Sequence, residues 1–281
     1  MPLFSVLLPF YAGDHADFVV RAIESVTTDQ TLAPHELVVV QDGPVSAELE
    51  DAVKQSLAAV SIPHKLVVIA ENGGLSNALN VGLRECTHDV VARSDADDIS
   101  VPKRFEIQIP VIAQGIDLVG AALAEFEDDE TATSTVRAQP TNHADIVTYA
   151  KFHDPFNHPT VVYRKSAVES VGGYEHLDLM EDYLLFAKML HAGVRSANIP
   201  DVLLKYRVGA GAYGRRGGTR LLRSEWALQR KLRAMGFTSR TQFVRNVVIR
   251  CGYRLVPEPV RRFGYRQIVL RTGKRGIPAQ P

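Results

Sequence analysis

Four short apolar runs, each ending in a polar loop and each followed by a helical stretch, occupy the first 115 residues and limit what the chain can fold into. The runs lie at 5–9, 36–40, 65–69 and 89–93, and the helical patterns at 14–27, 48–59, 75–84 and from Pro102 onward. Uninterrupted Val, Leu and Ile runs with helices between them predict a mostly parallel sheet covered on both faces. Ligands of such sheets bind beyond the carboxyl ends of the strands, so functional residues are expected just after each run.

Beyond residue 115 the alternation weakens. An acidic stretch at 125–130 reads as a hairpin or loop, 161–163 as a short strand, and 180–191 as a helix closed by Gly193. From about 216 helical patterns dominate to the end. At 281 residues the chain is long enough for one large domain with an appended piece. The boundaries expected are 1–210 for the main domain, in two halves at 1–115 and 116–210, and 211–281 for a helical extension.

Charge separates these parts. Residues 1–200 hold 13 Lys and Arg against 29 Asp and Glu, whereas residues 201–281 hold 19 against 3. In the second part arginines alternate with apolar residues, as in Leu221-Leu222-Arg223 and Phe243-Val244-Arg245. Such a tail suits either an anionic membrane surface or the acidic part of its own chain. Only Trp226 and scattered Tyr and Phe are available for base stacking, so no nucleic-acid partner is expected. Cys86 and Cys251 give neither a disulfide framework nor metal-ligand spacing, and residues 1–5 lack the features of a signal peptide. The longest apolar stretch, 111–124, is too short to span a bilayer and contains Asp117. A cytoplasmic protein is expected, and of the two roles open to the tail, the membrane one would be peripheral contact at the inner face of the plasma membrane.

The acidic motif Arg93-Ser94-Asp95-Ala96-Asp97-Asp98 stands at the end of the fourth run. Strand alternation predicts Asp95 and Asp97 on one side, aimed past the sheet edge. Carboxylates this close repel unless a cation or donors hold them, and they suit Mn²⁺ or Mg²⁺. A solvated turn is the bland alternative; a calcium loop fails because Ser100 stands where glycine is required. The other runs lead into Pro9-Phe10-Tyr11-Ala12-Gly13-Asp14, Gln41-Asp42-Gly43-Pro44 and Glu71-Asn72-Gly73-Gly74. Turn chemistry and helix capping favour the same residue types, but four such loops on one edge point to a nucleotide pocket. No Gly-Xaa-Gly-Xaa-Xaa-Gly fingerprint follows any of these four runs (the match at Gly209 to Gly214 lies far downstream of them), and no Gly-Lys-Ser/Thr phosphate loop is present.

Taken in order and spacing, Ser5-Val6-Leu7-Leu8-Pro9-Phe10-Tyr11, Asp42-Gly43, Asn72-Gly73-Gly74-Leu75 with Ala78-Leu79-Asn80, and Ser94-Asp95-Ala96-Asp97-Asp98 resemble family 2 glycosyltransferases. The resemblance covers about residues 3–207 and is to the bacterial branch that builds capsule, O-antigen and exopolysaccharide. It implies an α/β GT-A fold, Rossmann-like, with a mostly parallel central sheet flanked by helices; the basic helical extension follows it. It also implies an inverting transferase, a nucleotide-diphosphate-sugar donor with UDP favoured, a Mn²⁺ or Mg²⁺ ion, and a glycan or polyprenyl-linked acceptor. On that resemblance Pro9, Phe10, Tyr11, Asp14, Asp42, Asn72, Gly73, Asn80, Arg93, Asp95 and Ala96 line the nucleotide-sugar, with Asp42 on the base. Asp97 is then the chief metal ligand, with Asp95 beside it. Gln41 replaces the first carboxylate that many relatives carry.

Gly172-Gly173-Tyr174 and Glu181-Asp182 resemble the family's acceptor segment and catalytic acidic pair. Asp182 is the expected base, with Glu181 second; both open a helix, whose dipole is expected to keep them ionised. His158, Gly173 and Tyr174 are the expected acceptor contacts, although a satisfied structural histidine is an equal reading of His158. Arg215 and Arg216, beside glycines, suit a lid over the diphosphate or a solvated basic loop. Two rivals stand beside the transferase: a nucleotidyltransferase, which lacks its basic glycine-rich first loop here, and a catalytically silent nucleotide-sugar or glycan-binding protein of the same fold.

Overall fold

A computed structural model describes residues 1–208 and 219–252, and the chain divides into two compact units, Met1–Ala210 and Gly211–Pro281. The first unit begins with β1 (Phe4–Tyr11), α1 (Ala16–Val26), β2 (Glu36–Asp42), α2 (Ala47–Ala59), β3 (His64–Ile69), α3 (Leu75–Glu85) and β4 (Val90–Arg93). It continues with β5 (Ile99–Ser100), α4 (Arg104–Ala113), β6 (Leu118–Phe126), β7 (Val136–Arg137), α5 (His143–Ala150), β8 (Val162–Arg164), α6 (Lys165–Ser170), α7 (Glu181–His191) and β9 (Ser196–Arg207).

These strands form one sheet in the order β3-β2-β1-β4-β8-β6-β9-β5, with β7 paired to β6. The half built from β3, β2, β1 and β4 is parallel throughout. β8 runs antiparallel to both β4 and β6, and β5 runs antiparallel to β9, so the whole sheet is mixed. The expected mostly parallel sheet flanked by helices is thus present, since β6 and β9 also pair in parallel and make the longest ladder of the other half, with short antiparallel ladders added around them.

Side-chain alternation explains the layers. Val6, Leu8 and Phe10 of β1, with Leu37 and Val39 of β2, pack against Val19 and Ile23 of α1, Leu49 and Val53 of α2, and Phe105 and Ile109 of α4. Full burial of each such side chain contributes roughly 1.5–3 kcal/mol. The opposite face takes α3, where Gly82 lies against Leu7 and Val40; a Cβ at Gly82 would overlap the Leu7 side chain. β3 departs from expectation, because its Val and Ile run lies at the sheet edge with Val68 61% exposed. β9 escaped the sequence reading because exposed Pro200 and Asp201 interrupt it, and its pairing with β6 shifts register at Ala121–Leu123.

The second unit contains α8 (Thr219–Ala234), α9 (Arg240–Asn246) and a π-helical turn at Val247–Cys251. Ser239 and Gln242 close a reciprocal capping box at the start of α9. Glu225 is buried and accepts hydrogen bonds from Gln229 (3.1 Å) and Arg250 Nε (2.5 Å), while Asn246 donates to Gln229 at 3.0 Å. Among the described residues no helix is long and apolar enough to cross a membrane. The expectation of helices to the end of the chain falls, beyond Gly252, outside the described residues.

Candidate active site

The strand ends converge as the sheet topology requires. At the end of β1, Asp14 folds back so that its Oδ2 accepts the Tyr11 N–H at 2.9 Å. Burial, together with the charges of Asp97 and Asp95, pushes the Asp14 carboxyl up to about 7. Tyr11 is 49% exposed at this edge, whereas Phe10 is 2% exposed and lies in the core. Pro9 is buried too, and Phe10 packs in the core with Val6 and Leu8. Ala96 is buried as well.

At the end of β2, Asp42 accepts N–H bonds from Gly73 and Gly74, each at 2.9 Å, and Asn72 Nδ2 donates to the Asp42 carbonyl at 3.1 Å. Gly43 makes this close approach possible: its φ is +84°, and a Cβ there would stand 2.7 Å from Asn72 N. Asp42, 4% exposed, therefore ties the β2 and β3 loops together, and both its oxygens already accept backbone amides.

β4 stops at Arg93, so Asp95, Asp97 and Asp98 lie in a turn and the predicted strand alternation does not reach them. One oxygen from each of the three lies within 4.8 Å of the others. Arg93 is fully buried and forms a two-pronged ion pair with Asp95. Asp98 is buried, its Oδ1 accepts the Arg207 N–H at 2.9 Å, and its Oδ2 has no hydrogen-bond partner. Burial and the Asp95 charge push Asp97 up to about 6, and burial with Asp97 and Asp95 holds Asp98 well above the ordinary range. A hard divalent cation fits this set: three clustered carboxylates, one with a buried unmatched oxygen, carry more negative charge than the protein cations beside them relieve.

Two arginines that the sequence reading did not place in the site hold this turn. Arg207, ending β9, donates from Nε to the Asp97 carbonyl at 3.1 Å, with its guanidinium 3.8 Å from the Phe18 ring centroid. Arg104 is fully buried and donates to the Arg93 carbonyl (2.7 Å), Ser100 Oγ (2.9 Å) and Gln108 Oε1 (3.1 Å). Burial, and then the Arg93 charge, pulls Arg104 down to about 9. Arg104 stands between Lys103 and Phe105, and Arg207 between Tyr206 and Val208, settings that mark neither for a buried role.

Asp182 stands at the start of α7, where it feels the charge of Arg93. Its Oδ1 accepts the Tyr183 N–H at 2.7 Å, and Glu181 Oε2 accepts the Met180 N–H at 2.9 Å. Burial and the neighbouring Glu181 push Asp182 up to about 6. His158 is buried in a 3₁₀ turn at His158–Thr160, its Nδ1 3.9 Å from Asp182 Oδ2 and its Nε2 2.9 Å from the Tyr174 hydroxyl. Burial and the Arg93 charge keep His158 well below its ordinary value, hence neutral, and burial keeps Tyr174 protonated. Asn80 hydrogen-bonds the backbone of Tyr174, and Gly173 adjoins it. Arg215 and Arg216 lie outside the described residues.

The family model described as Glycosyl transferase family 2 matches residues 5–172. The chain is 39% identical over 268 residues to the amylovoran biosynthesis glycosyltransferase AmsE of Erwinia amylovora, covering 94% of this chain and 98% of that one. It is 33% identical over 272 residues to an Escherichia coli UDP-Gal:alpha-D-GlcNAc-diphosphoundecaprenol beta-1,3-galactosyltransferase, covering 96% and 98%. Among solved structures, the mannosyltransferase PcManGT from Pyrobaculum calidifontis, in complex with GDP-Man and Mn²⁺, aligns with a TM-score of 0.65 at 18% identity, over 99% of this chain and 76% of that one.

Proposed function

The chain belongs to glycosyl transferase family 2 and is a glycosyltransferase of polysaccharide biosynthesis; from that premise we propose that it is an inverting, metal-dependent hexosyltransferase. The donor in this reading is a nucleoside-diphosphate sugar, UDP-linked before others, and the acceptor is a hydroxyl of a glycan carried on a polyprenyl diphosphate. One observation carries the reading. Asp95, Asp97 and Asp98 cluster beside the buried Arg93 that pairs with Asp95, which provides a cation-binding turn, and a separate carboxylate, Asp182 at the start of α7, feels the charge of the same arginine. A metal-assisted displacement at a sugar carbon needs both groups.

In the proposed reaction the Asp182 carboxylate takes the proton of the acceptor hydroxyl. The acceptor oxygen bonds to the anomeric carbon from the face opposite the leaving group, and the bond from that carbon to the diphosphate oxygen breaks, inverting the centre. Asp95, Asp97 and Asp98 would hold the Mn²⁺ or Mg²⁺ ion, which when bound offsets charge on the departing diphosphate. Arg93 fixes the Asp95 carboxylate, and Arg207 fixes the turn behind Asp97. Tyr11, Asp42, Asn72 and Gly73 form the base end of the pocket, where Asp42 acts by shaping the two loops. The names of the relatives support the donor and acceptor classes: a UDP-sugar and a diphosphoundecaprenol for one, and GDP-Man with Mn²⁺ for the fold neighbour.

Access to such an acceptor is the proposed task of the second unit, at the inner face of the plasma membrane. Trp226, Val244, Val248 and Ile249 are 44–67% exposed there, beside exposed Arg223, Arg230, Arg240 and Arg245. Glu225, the sole acidic residue in 219–252, is buried. The test of the reaction is incubation with UDP-sugars, Mn²⁺ and a synthetic polyprenyl-diphosphate glycan, with product NMR. A product with the inverted anomer is expected; a retained anomer, or donor turnover without a glycosidic product, would overturn it.

A further inference from the structure

Asparagine is a weak helix former, because its side chain competes for backbone hydrogen bonds, yet Asn80 sits in the middle of α3. Its amide spends both ends on one remote residue. Asn80 Oδ1 accepts the Tyr174 N–H at 2.9 Å, and Asn80 Nδ2 donates to the Tyr174 carbonyl at 2.7 Å. The approach is close enough to fix the preceding residue as glycine: Gly173 has φ +72°, and a Cβ there would stand 2.7 Å from Asn80 Oδ1.

Held in this way, the Tyr174 side chain is buried and its hydroxyl meets His158 Nε2 at 2.9 Å. The His158 ring is further confined by Phe186, with centroids 5.8 Å apart, and its Nδ1 faces Asp182 Oδ2 at 3.9 Å. When Tyr174 donates its hydroxyl proton to Nε2, the ring proton stands on Nδ1. That tautomer turns a proton, and not a lone pair, towards the Asp182 carboxylate, which is the electrostatically favoured choice.

We infer that Asn80 is a positioning residue for the acceptor side: by clamping Tyr174 it sets the His158 ring whose Nδ1 faces the Asp182 carboxylate. This departs from the nucleotide-lining place that the family resemblance implies for Asn80, and it rests on the reading of Asp182 as the base. α3 starts directly after the Asn72–Gly74 loop, so the same helix would carry the order of the donor loops to the base.

The two places for Asn80 separate in a kinetic cycle on full-length protein. Affinity for whichever of UDP or GDP binds the wild type with Mn²⁺ is measured by calorimetry, and transfer by kcat at saturating donor. Asn80→Ala is expected to lower kcat about 10- to 100-fold, the scale of losing alignment of a catalytic group, while nucleotide affinity stays within about twofold. Tyr174→Phe, which keeps the Asn80 bonds and removes only the hydroxyl, is expected to lower kcat about tenfold or less. The double variant should then fall no more than about threefold below Asn80→Ala, because both changes break one path. Asn80→Ser, too short to reach both Tyr174 groups, takes its place if the alanine variant does not fold.

A nucleotide affinity lowered tenfold or more with kcat kept would return Asn80 to the nucleotide wall, and effects that multiply in the double variant would remove the path through His158. Asp182→Asn belongs in the same series. Wild-type turnover there sinks the base assignment itself, whereas an inactive Asp182→Asn beside an Asn80→Ala of full kcat sinks only this inference.

Discussion

Arg207 and Asp98 are joined across 109 residues: the Arg207 N–H donates to Asp98 Oδ1 at 2.9 Å, and its Nε reaches the neighbouring Asp97 carbonyl. The last residue of β9 thus supports the acidic turn after β4 from behind, with its guanidinium pinned over the Phe18 and Phe126 rings. Its charge also pulls against the burial and Asp95 repulsion that raise Asp97. Arg207→Ala keeps the backbone bond but loses the Nε bond and the charge. We expect Mn²⁺-dependent nucleotide affinity to drop about tenfold, as for other groups that orient metal ligands. Calorimetry at pH 7 reads this directly, and unchanged affinity would show that the turn holds without Arg207.

The acidic turn itself is tested by thermal shift with UDP, GDP, dTDP and CMP, each with and without Mn²⁺. A ligand at 100 times its Kd stabilises by about 2.7 kcal/mol, which in a domain of this size corresponds to a melting rise of roughly 5–10 °C. The rise is expected with one nucleoside diphosphate, only with metal, and not in Asp97→Ala. A rise of equal size in Asp97→Ala would remove Asp97 from the metal set.

Asp182 gives a pH prediction. Its folded value of about 6 lies above the ordinary 3.8, so the folded state favours the neutral acid. The associated stabilisation is complete below pH 3.8 and is lost as pH rises through 6. Catalysis runs the other way, because only the ionised form accepts a proton. The acid limb of kcat should therefore bend near pH 6. Asp182→Asn removes the buried charge while its Oδ1 can still accept the Tyr183 N–H. This variant should lose transfer and, at pH 7, melt a few degrees higher, the relieved cost being at most about 3 kcal/mol. Activity profiles with and without the substitution, beside melting curves, decide it; a flat rate between pH 5 and 8 would exclude Asp182 as the base.

How far the sequence showed this site follows from how local each feature is. β1, β2 and β4 were readable because buried strands of a parallel sheet are continuous apolar runs, and the acidic turn was readable because its three carboxylates lie within four residues of the chain. β3 looked the same in sequence, since an edge strand can carry the same Val and Ile run. β9 was hidden by Pro200 and Asp201 at its middle, where the strand bulges. Contacts that join distant residues left no local mark. The Asn80–Tyr174 pair spans 94 residues, and no spacing rule links a mid-helix asparagine to a tyrosine after two glycines. Asp182 was found at its place, but its proton affinity was not, because burial and Glu181 are properties of the folded site.

The second unit supplies the last prediction. Trp226 of α8 meets Phe243 of α9 with ring centroids 5.9 Å apart, and Val244, Val248 and Ile249 continue the exposed apolar surface along α9 and the π-helical turn. Apolar residues with an aromatic among exposed arginines are the composition of a surface that lies in a membrane interface. Each arginine near an anionic leaflet adds about 1 kcal/mol, and that part is screened by salt. In flotation assays the protein should rise with vesicles containing phosphatidylglycerol, less so at 0.5 M salt by roughly tenfold in bound fraction, and hardly at all with neutral phosphatidylcholine. Val248→Asp and Ile249→Asp place a charge in the apolar part and should weaken vesicle binding at either salt, with melting temperature as the check on folding. Binding that depends on salt but ignores both substitutions would reduce the contact to charge alone, and protein left wholly in solution with anionic vesicles would remove the membrane from the proposed function.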